Sequence, residues 1–432
     1  MGDKTMSDSV RFNTALSMGH LTIHDYPELI IVMADIKAAC AEANETLNLI
    51  SKEQADSIVR AATHMADDPV SVPAAPMTRI LGEPLNAWAN DFLAERSGSD
   101  KTLVNLNQEA PAVMTAVRTL CVARLFTQLI ERARIFAEDL EKKALEFREV
   151  VTVGRIGMRD SLPISIGAQF HAWSTGVRRN IERLETETAH WNTVSLGAGR
   201  LGTGAGIAAK FGQVATDKLA ERTHLPLHES EEPMDWIAAN DALLLAHAHI
   251  QALAAVIWRC TKDLCLMCSG PRCGLGEITF PAVAPGSSIM PGKINPTVGQ
   301  MVKHVCDQIN SNQTAMMGAV NTGWLGNGSV STLPLKMVID DAKLLTNTME
   351  LFNRKVLAGI TAHPEHSAQL AEQSLALARV LIPEYGIEVA TKAALKAQSE
   401  GTSVKDAAVA LEILSREKAD ELFNLSKLIH VE

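Results

Sequence analysis

The sequence predicts an all-α protein of three helical domains with a bundle of long helices at its centre. Three observations lead to that class. Apolar residues recur at helical spacing over long stretches, as at Val117, Leu120, Leu125, Leu129 and Ile135, within a run from Pro111 to Val150 that holds no further Gly or Pro. The composition is 47% apolar, 21% charged and only 4% aromatic, which suits helix-on-helix packing with close axes. At 432 residues the chain also exceeds one ordinary core, so it divides into domains and buries ample apolar surface.

Residues 1–22 are small and polar without a periodic pattern, and an N-terminal arm, partly mobile, is expected there. Past Pro27, Leu29–Leu47 and Lys52–Met65 read as helices. The Pro-rich stretch Asp67–Pro76 separates them from a third helical run, Pro84–Glu95. Together these make an N-terminal domain over residues 1–110. The central domain, 111–358, opens with the run to Val150 and continues through Ser165–Thr193, Pro233–Cys268, Pro296–Val320 and Leu333–Ala358. A helix of about 35 residues is on the order of 50 Å long and needs neighbours throughout, so an elongated bundle is expected. Asp241–Val256 is apolar on nearly every face, as when bundles of several subunits pack together. In the C-terminal domain, 359–432, Thr402–Ala408 and Ser415–Leu422 read as short N-capped helices.

A net charge of −10 and a pI near 5.8 supply no basic footprint for nucleic acid or an anionic membrane. The longest apolar runs fall short of 18 uncharged residues, so no membrane span is expected. Seven cysteines in no secreted spacing, and no signal peptide, point to a reducing, cytoplasmic compartment. Cys265 and Cys268 form a CxxC with Cys260 and Cys273 nearby. The first three lie in an apolar helical run, where cysteine behaves as a small hydrophobe, so no metal is expected.

The segment Gly286–Pro296 stands apart from this helical background. Two glycines and its prolines, with Pro285 just before, make it a loop, and an apolar helical pattern resumes after it. Ser287 and Ser288 offer hydroxyls and Lys293 a positive charge. Asn295 places an amide just before a helix whose N-terminal N–H groups favour anions. An anion site with a candidate base is one reading of this composition; a Gly/Ser/Pro linker is the other.

This loop resembles the signature loop of the fumarase/aspartase superfamily. The resemblance extends to Ser269–Glu277, to the Gly-rich turn Gly197–Gly204, and in order and spacing from about Ile23 to the C-terminus. It implies that Ser287 is the general base that removes a proton from carbon next to a carboxylate, and that Lys293 and Asn295 hold that carboxylate. It further implies a homotetramer whose active sites take segments from three subunits, and chemistry without a cofactor. A serine is a weak base, so the loop must close over the substrate and stabilise the alkoxide.

Departures from the family pattern gather where the substrate's other end belongs. In Gly154–Asp160 a Thr-His pair is replaced by Ile156 and Gly157, and a glutamate that pairs with that histidine is replaced by Gln300. Gln108–Ala112 replaces Gln-Ser-Ser-Asn-Asp, and Arg79–Asn86 lies where a hydroxyl-and-amide cradle belongs. A carboxylate desolvated without such donors loses several kcal/mol, roughly. Plain fumarase and aspartase activities therefore fit poorly. Glu109, Arg79, Arg155 and Arg159 are the charges available to rebuild the pocket, although Arg155 is shared with the family pattern and also reads as structural, and Val320–Ser329, with Trp324, reads as a rebuilt wall or a surface turn.

The expected activity is cofactor-free anti β-elimination from a small carboxylate, with Ser287 as base. Ser288, Lys293, Asn295, Thr203 and Gln108 are the expected substrate-binding residues. His304, His171, Glu109 and Arg159 are candidate acids or pocket residues, whereas His247 and His249 read as core or interface histidines. Carbon–nitrogen cleavage is favoured, because a protonated amine leaves with less help from the missing His–Glu pair. The product would be fumarate or a related unsaturated acid. A hydratase-like C–O lyase, a cycloisomerase of the same fold and a non-catalytic helical scaffold are the alternatives.

Overall fold

A computed structural model describes residues 26–69, 83–284, 286–321 and 332–429; the N-terminal arm, Arg79 and Trp324 lie outside them. The described fold is all-α. Its helices are α1 (Pro27–Thr46), α2 (Lys52–Asp67), α3 (Glu83–Ser97), α4 (Lys101–Val104), α5 (Ala110–Glu146), α6 (Ile166–Thr188), α7 (Phe211–Thr223), α8 (Pro233–Ala238), α9 (Asp241–Met267), α10 (Thr297–Ala319) and α11 (Thr332–Lys355). Toward the C-terminus follow α12 (Pro364–Glu372), α13 (Ile382–Tyr385), α14 (Ile387–Glu400), α15 (Val404–Ala410), α16 (Arg416–Leu422) and α17 (Leu425–Leu428). The chain forms two compact units, each from three separate stretches. One holds residues up to Ile130, Glu182–Ala252 and Gln308–Leu345; the other holds Glu131–Ile181, Leu253–Asp307 and Thr346 onward.

In the first unit α1 is buried on nearly every side, through Ile30, Val32, Met33, Ile36 and Cys40 among others. Helix α2 starts at a capping box: the Ser51 hydroxyl accepts the Gln54 N–H, and the Gln54 side chain accepts the Ser51 N–H. The run expected from Pro233 to Cys268 is broken at Ala239–Asn240, and the buried Arg118 of α5 explains the break. Its guanidinium lies 4.9 Å from the Trp236 ring centroid and donates to the carbonyls of Ala239 (2.6 Å) and Trp236 (2.9 Å). Those carbonyls gain a charge-assisted partner that a continuous helix would not give them. Burial pushes the Arg118 pKa down to about 10.

His247 of α9 is a satisfied core histidine. Its Nε2 lies 2.6 Å from Oδ2 of the buried Asp341 of α11, its Nδ1 faces the Gln313 amide oxygen, and Asn312 donates to both Asp341 oxygens at 2.9 Å.

The second unit carries a β-hairpin that the helical reading did not anticipate: β1 (Val151–Ile156) pairs antiparallel with β2 (Arg159–Ser165). Gly157 and Met158, at φ 57 and 63, form its two-residue turn. Phe170 packs edge-on against Phe147 and Trp173, at centroid separations of 5.6 and 5.1 Å. Helix α10 approaches α9 so closely at Gly299 that an added Cβ would lie 2.4 Å from the Cys265 sulfur. The C-terminal helices close around their own core of Leu377, Leu381, Ala393, Val404 and Phe423. The two short N-capped helices expected over Thr402–Ala408 and Ser415–Leu422 are α15, capped by Ser403, and α16, capped by Ser415.

Among the described residues two helices, α5 and α9, are long and apolar enough to cross a membrane, each with an 18-residue window of mean hydropathy 1.4. Burial separates them. Within the chain 83% of the α5 window is buried but only 39% of the α9 window, so α9 leaves apolar surface uncovered.

Candidate active site

The loop 286–296 lies in the second unit, between β3 (Ile278–Thr279) and α10. It is drawn shut at its neck by the Ser287 N–H donating to the Lys293 carbonyl at 2.9 Å, and again by the Lys293 N–H donating to the Met290 carbonyl at 3.1 Å. The half-buried Ser287 hydroxyl sits inside this turn, where its oxygen accepts the N–H groups of Met290 (3.1 Å) and Ile289 (3.4 Å). Donors aimed at a hydroxyl oxygen stabilise its ionised form more than its neutral one. Ser288, Lys293 and Asn295 are exposed, and among the described residues Lys293 has no ion-pair partner. Asn295 stands two residues before the first turn of α10, and Ile289 is 84% exposed.

The segment before this loop is anchored to the hairpin. Glu277 is fully buried, and Arg155 of β1 donates to its two oxygens at 3.1 and 3.0 Å, with the Thr152 hydroxyl as a third donor. Arg155 is thereby committed to structure. Arg159 is exposed at the hairpin tip, in register with Ile156, and the apolar Ile156 and Met158 beside it face solvent. His171 is exposed on α6, its Nδ1 3.0 Å from both oxygens of Glu141. His304 is exposed on α10.

The other sequence candidates fall in the first unit. Gln108 is buried, and both ends of its amide are used: Oε1 accepts from Lys37 Nζ at 2.7 Å, and Nε2 donates to the Val104 carbonyl at 2.8 Å. Lys37 is itself buried, and desolvation lowers its pKa to about 7 against a small opposing effect of Cys40. The Asn107 side chain accepts the Ala208 N–H at 2.9 Å and donates to Asn44 at 2.8 Å, tying this segment to the Gly-rich turn. Arg200 of that turn pairs with Glu109 at 3.2 Å, both partly exposed. Thr203 is exposed there, its hydroxyl accepting the Ala205 N–H at 3.4 Å. Within the turn, Gly202 adopts φ 86, and a Cβ would meet the Met234 backbone at 2.4 Å.

Gln108, Glu109 and Thr203 are thus gathered in the first unit. Ser287, Ser288, Lys293, Asn295, Arg159, His171 and His304 belong to the second. Sequence reasoning passed over Lys37 and the Arg155–Glu277 pair. A charged residue amid apolar helix positions was the available signal for Lys37; for the pair, whose partners lie 122 positions apart, there was none.

A lyase family profile matches residues 4–310. The chain is 31% identical over 437 residues to a class II fumarate hydratase of Thermosynechococcus vestitus, covering 96% of this chain and 93% of that one. It is 28% identical over 422 residues to an aspartate ammonia-lyase of a Bacillus species, covering 94% and 90%. Among solved structures, a fumarate lyase:delta crystallin of Brucella melitensis, bound to cobalt, superposes with a TM-score of 0.88 at 26% identity, over 95% of this chain and 92% of that one. A class II fumarase of Schistosoma mansoni gives 0.83 at 25%, over 96% and 94%.

Proposed function

Since this chain belongs to the fumarase/aspartase superfamily of lyases, we propose that it eliminates an amine or ammonia from a small carboxylate, leaving fumarate or a related unsaturated acid. The observation that carries this reading is the Ser287 hydroxyl, whose oxygen accepts two loop N–H groups. Proton abstraction next to a carboxylate needs a base and positive electrostatics around the resulting enolate. Ser287 is the base, its alkoxide held by the N–H groups of Met290 and Ile289. Lys293 and Asn295, beside the N-terminus of α10, bind the carboxylate whose neighbouring carbon loses the proton.

Ser288 and Thr203 assist in binding. Gln108, whose amide is engaged by Lys37, is the remaining binding residue of this set. His304, His171, Glu109 and Arg159 are the candidate acids and distal-end residues. Carbon–nitrogen cleavage is preferred over hydration because the residues named as His–Glu partners in relatives of this type are here Gly157 and Gln300. The homologues include both a hydratase and an ammonia-lyase by name.

The assembly we propose is a homotetramer with shared active sites. It is supported by the apolar surface of α9 and by the division of site candidates between two units. The seven cysteines, all free thiols, suit a reducing cytoplasm.

The test is ultraviolet absorbance of a newly formed conjugated double bond during incubation with aspartate, malate, N-substituted aspartates and betaine-type amino acids. One substrate is expected to give a growing signal that Ser287→Ala lowers about 10²–10⁴-fold. A signal with malate alone would move the assignment to C–O cleavage. A flat trace across the panel, unchanged in the variant, would refute the lyase reading.

A further inference from the structure

The second unit contains a cleft of about 440 Å³ walled by Ser161 and Leu162 of β2 and by residues of the 3₁₀ turn Leu375–Leu381, α13 and α14. It lies wholly within that unit, and no step proposed above uses it. Its walls are more apolar than polar, from Leu162, Leu375, Ile387 and Leu395 to the alanines at 376, 378, 390 and 394, with Ser161, Thr391 and Gln398 as polar neighbours. Arg379 is the one charged residue among them.

Two features separate this cleft from an ordinary dimple. Large apolar side chains on its walls are left to solvent, with Ile387 67% and Leu395 60% exposed, although each has packed neighbours a few residues away in the C-terminal core. Beside them stands an exposed guanidinium that, among the described residues, forms no ion pair. On the same helices Lys396 pairs with Glu400 at 2.5 Å, and Glu384 with Lys418 at 3.7 Å. The walls are held in place, since the buried Ser374 hydroxyl donates to the Ser161 carbonyl at 3.0 Å and accepts the Ala376 N–H at 3.3 Å. A concave apolar surface with a single unmatched, forked cation fits a ligand with an apolar body and one anionic group.

We propose that this cleft binds a small aryl-alkyl or branched-alkyl carboxylate. The carboxylate pairs with Arg379, the apolar body lies against Leu162, Leu375, Ile387 and Leu395, and Gln398 and Thr391 take the remaining hydrogen bonds. The site is independent of the proposed lyase chemistry, and the test keeps the two apart.

The probe is 4-phenylbutanoate, with 4-phenylbutanamide as its neutral counterpart, titrated calorimetrically and by thermal shift against the full chain. The acid is expected to bind saturably with a submillimolar Kd and the amide about tenfold more weakly, the loss of one charge-assisted pair. Arg379→Met should weaken the acid about tenfold and leave the amide unchanged. Arg379→Gln should do the same, and ligand-free melting of both variants checks that the exposed position leaves the fold intact. Ala394→Trp should occlude the cleft to both probes, whereas Lys293→Ala, which removes the cation of loop 286–296, should leave both affinities unaltered. No saturable binding, equal affinity for acid and amide, indifference to Arg379, or loss in the Lys293 variant would each overturn the assignment.

Discussion

Replacing Arg155 with Met removes two of the three hydrogen bonds that hold the fully buried Glu277 carboxylate, both made by Nη1, and leaves only the Thr152 hydroxyl. With donor and acceptor about 3 Å apart and charge centres near 4 Å, Coulomb attraction at an effective dielectric of 20 is about 4 kcal/mol. Breaking a buried pair by deleting one partner costs about 3–5 kcal/mol, so both routes give the same scale. Arg155→Met is therefore expected to be destabilised by about 4 kcal/mol in urea denaturation at neutral pH. Removing both charges is a different perturbation, because no ion is then left stranded. The double variant Arg155→Met/Glu277→Leu should recover more than half of the loss, and the cycle should return a coupling of about 2–3 kcal/mol. Arg155→Lys should fall between, since the ammonium keeps the charge but its shorter stem does not reach the position from which Nη1 donates to both oxygens. A single variant within about 1 kcal/mol of the parent, or a coupling below about 0.5 kcal/mol, would refute the pair as the tie between hairpin and loop segment.

Lys37 gives a pH signature. Its folded pKa lies near 7 against an ordinary 10.5, so above pH 7 the unfolded chain holds a proton that the folded chain has released, and stability rises with pH. Between pH about 7 and about 8.5 this contributes up to about 1.4 kcal/mol per unit, present in the parent and absent from Lys37→Met when urea midpoints are compared. At higher pH the buried Cys40, pushed up to about 12, opposes the trend, because the unfolded thiol ionises first. Gly299→Val should destabilise by more than about 2 kcal/mol by driving α10 off Cys265, and Cys265→Ala should relieve part of it in a double-variant melt. Glu109→Gln should cost less than about 0.5 kcal/mol, because its pair with Arg200 is solvent-exposed. A large fall in kcat/KM in that variant would then report a substrate role rather than a structural one.

The helical class was legible because long apolar periodicity survives any tertiary rearrangement: the run 111–150 and α5 differ only at their ends. Local punctuation was legible too, since Ser403 and Ser415 cap through bonds three residues long. The hairpin 151–165 was not, because an arginine, a glycine and a methionine at its tip mask the strand alternation, and its pairing depends on a turn with Met158 at positive φ. The break before α9 was hidden for another reason. Trp236, Ala239 and Asn240 continue a helical pattern, and the residue that interrupts it, Arg118, lies 118 or more positions away. For the loop, the residue types at Ser287, Lys293 and Asn295 could be read directly, while the N–H groups aimed at the Ser287 oxygen depend on a backbone closure that only the folded turn supplies. Gln108 was legible only as a residue type in a resembling segment, whereas the buried lysine of α1 that donates to its amide oxygen comes from 71 positions away.

The interleaving of the two compact units has a consequence for how the chain is made. Neither unit is contiguous: the first lacks its last stretch until Leu345 has been synthesised, and the second waits for residues after Thr346. An emerging chain can form helices early, but it cannot finish a core and move on to the next, as a string of beads would. Contacts of high sequence separation must therefore form late, after the ribosome has released most of the polypeptide, and folding is slow relative to helix formation. Truncation that stops short of Thr346 should leave the second unit alone incomplete, whereas truncation reaching back past Leu345 should leave two incomplete ones.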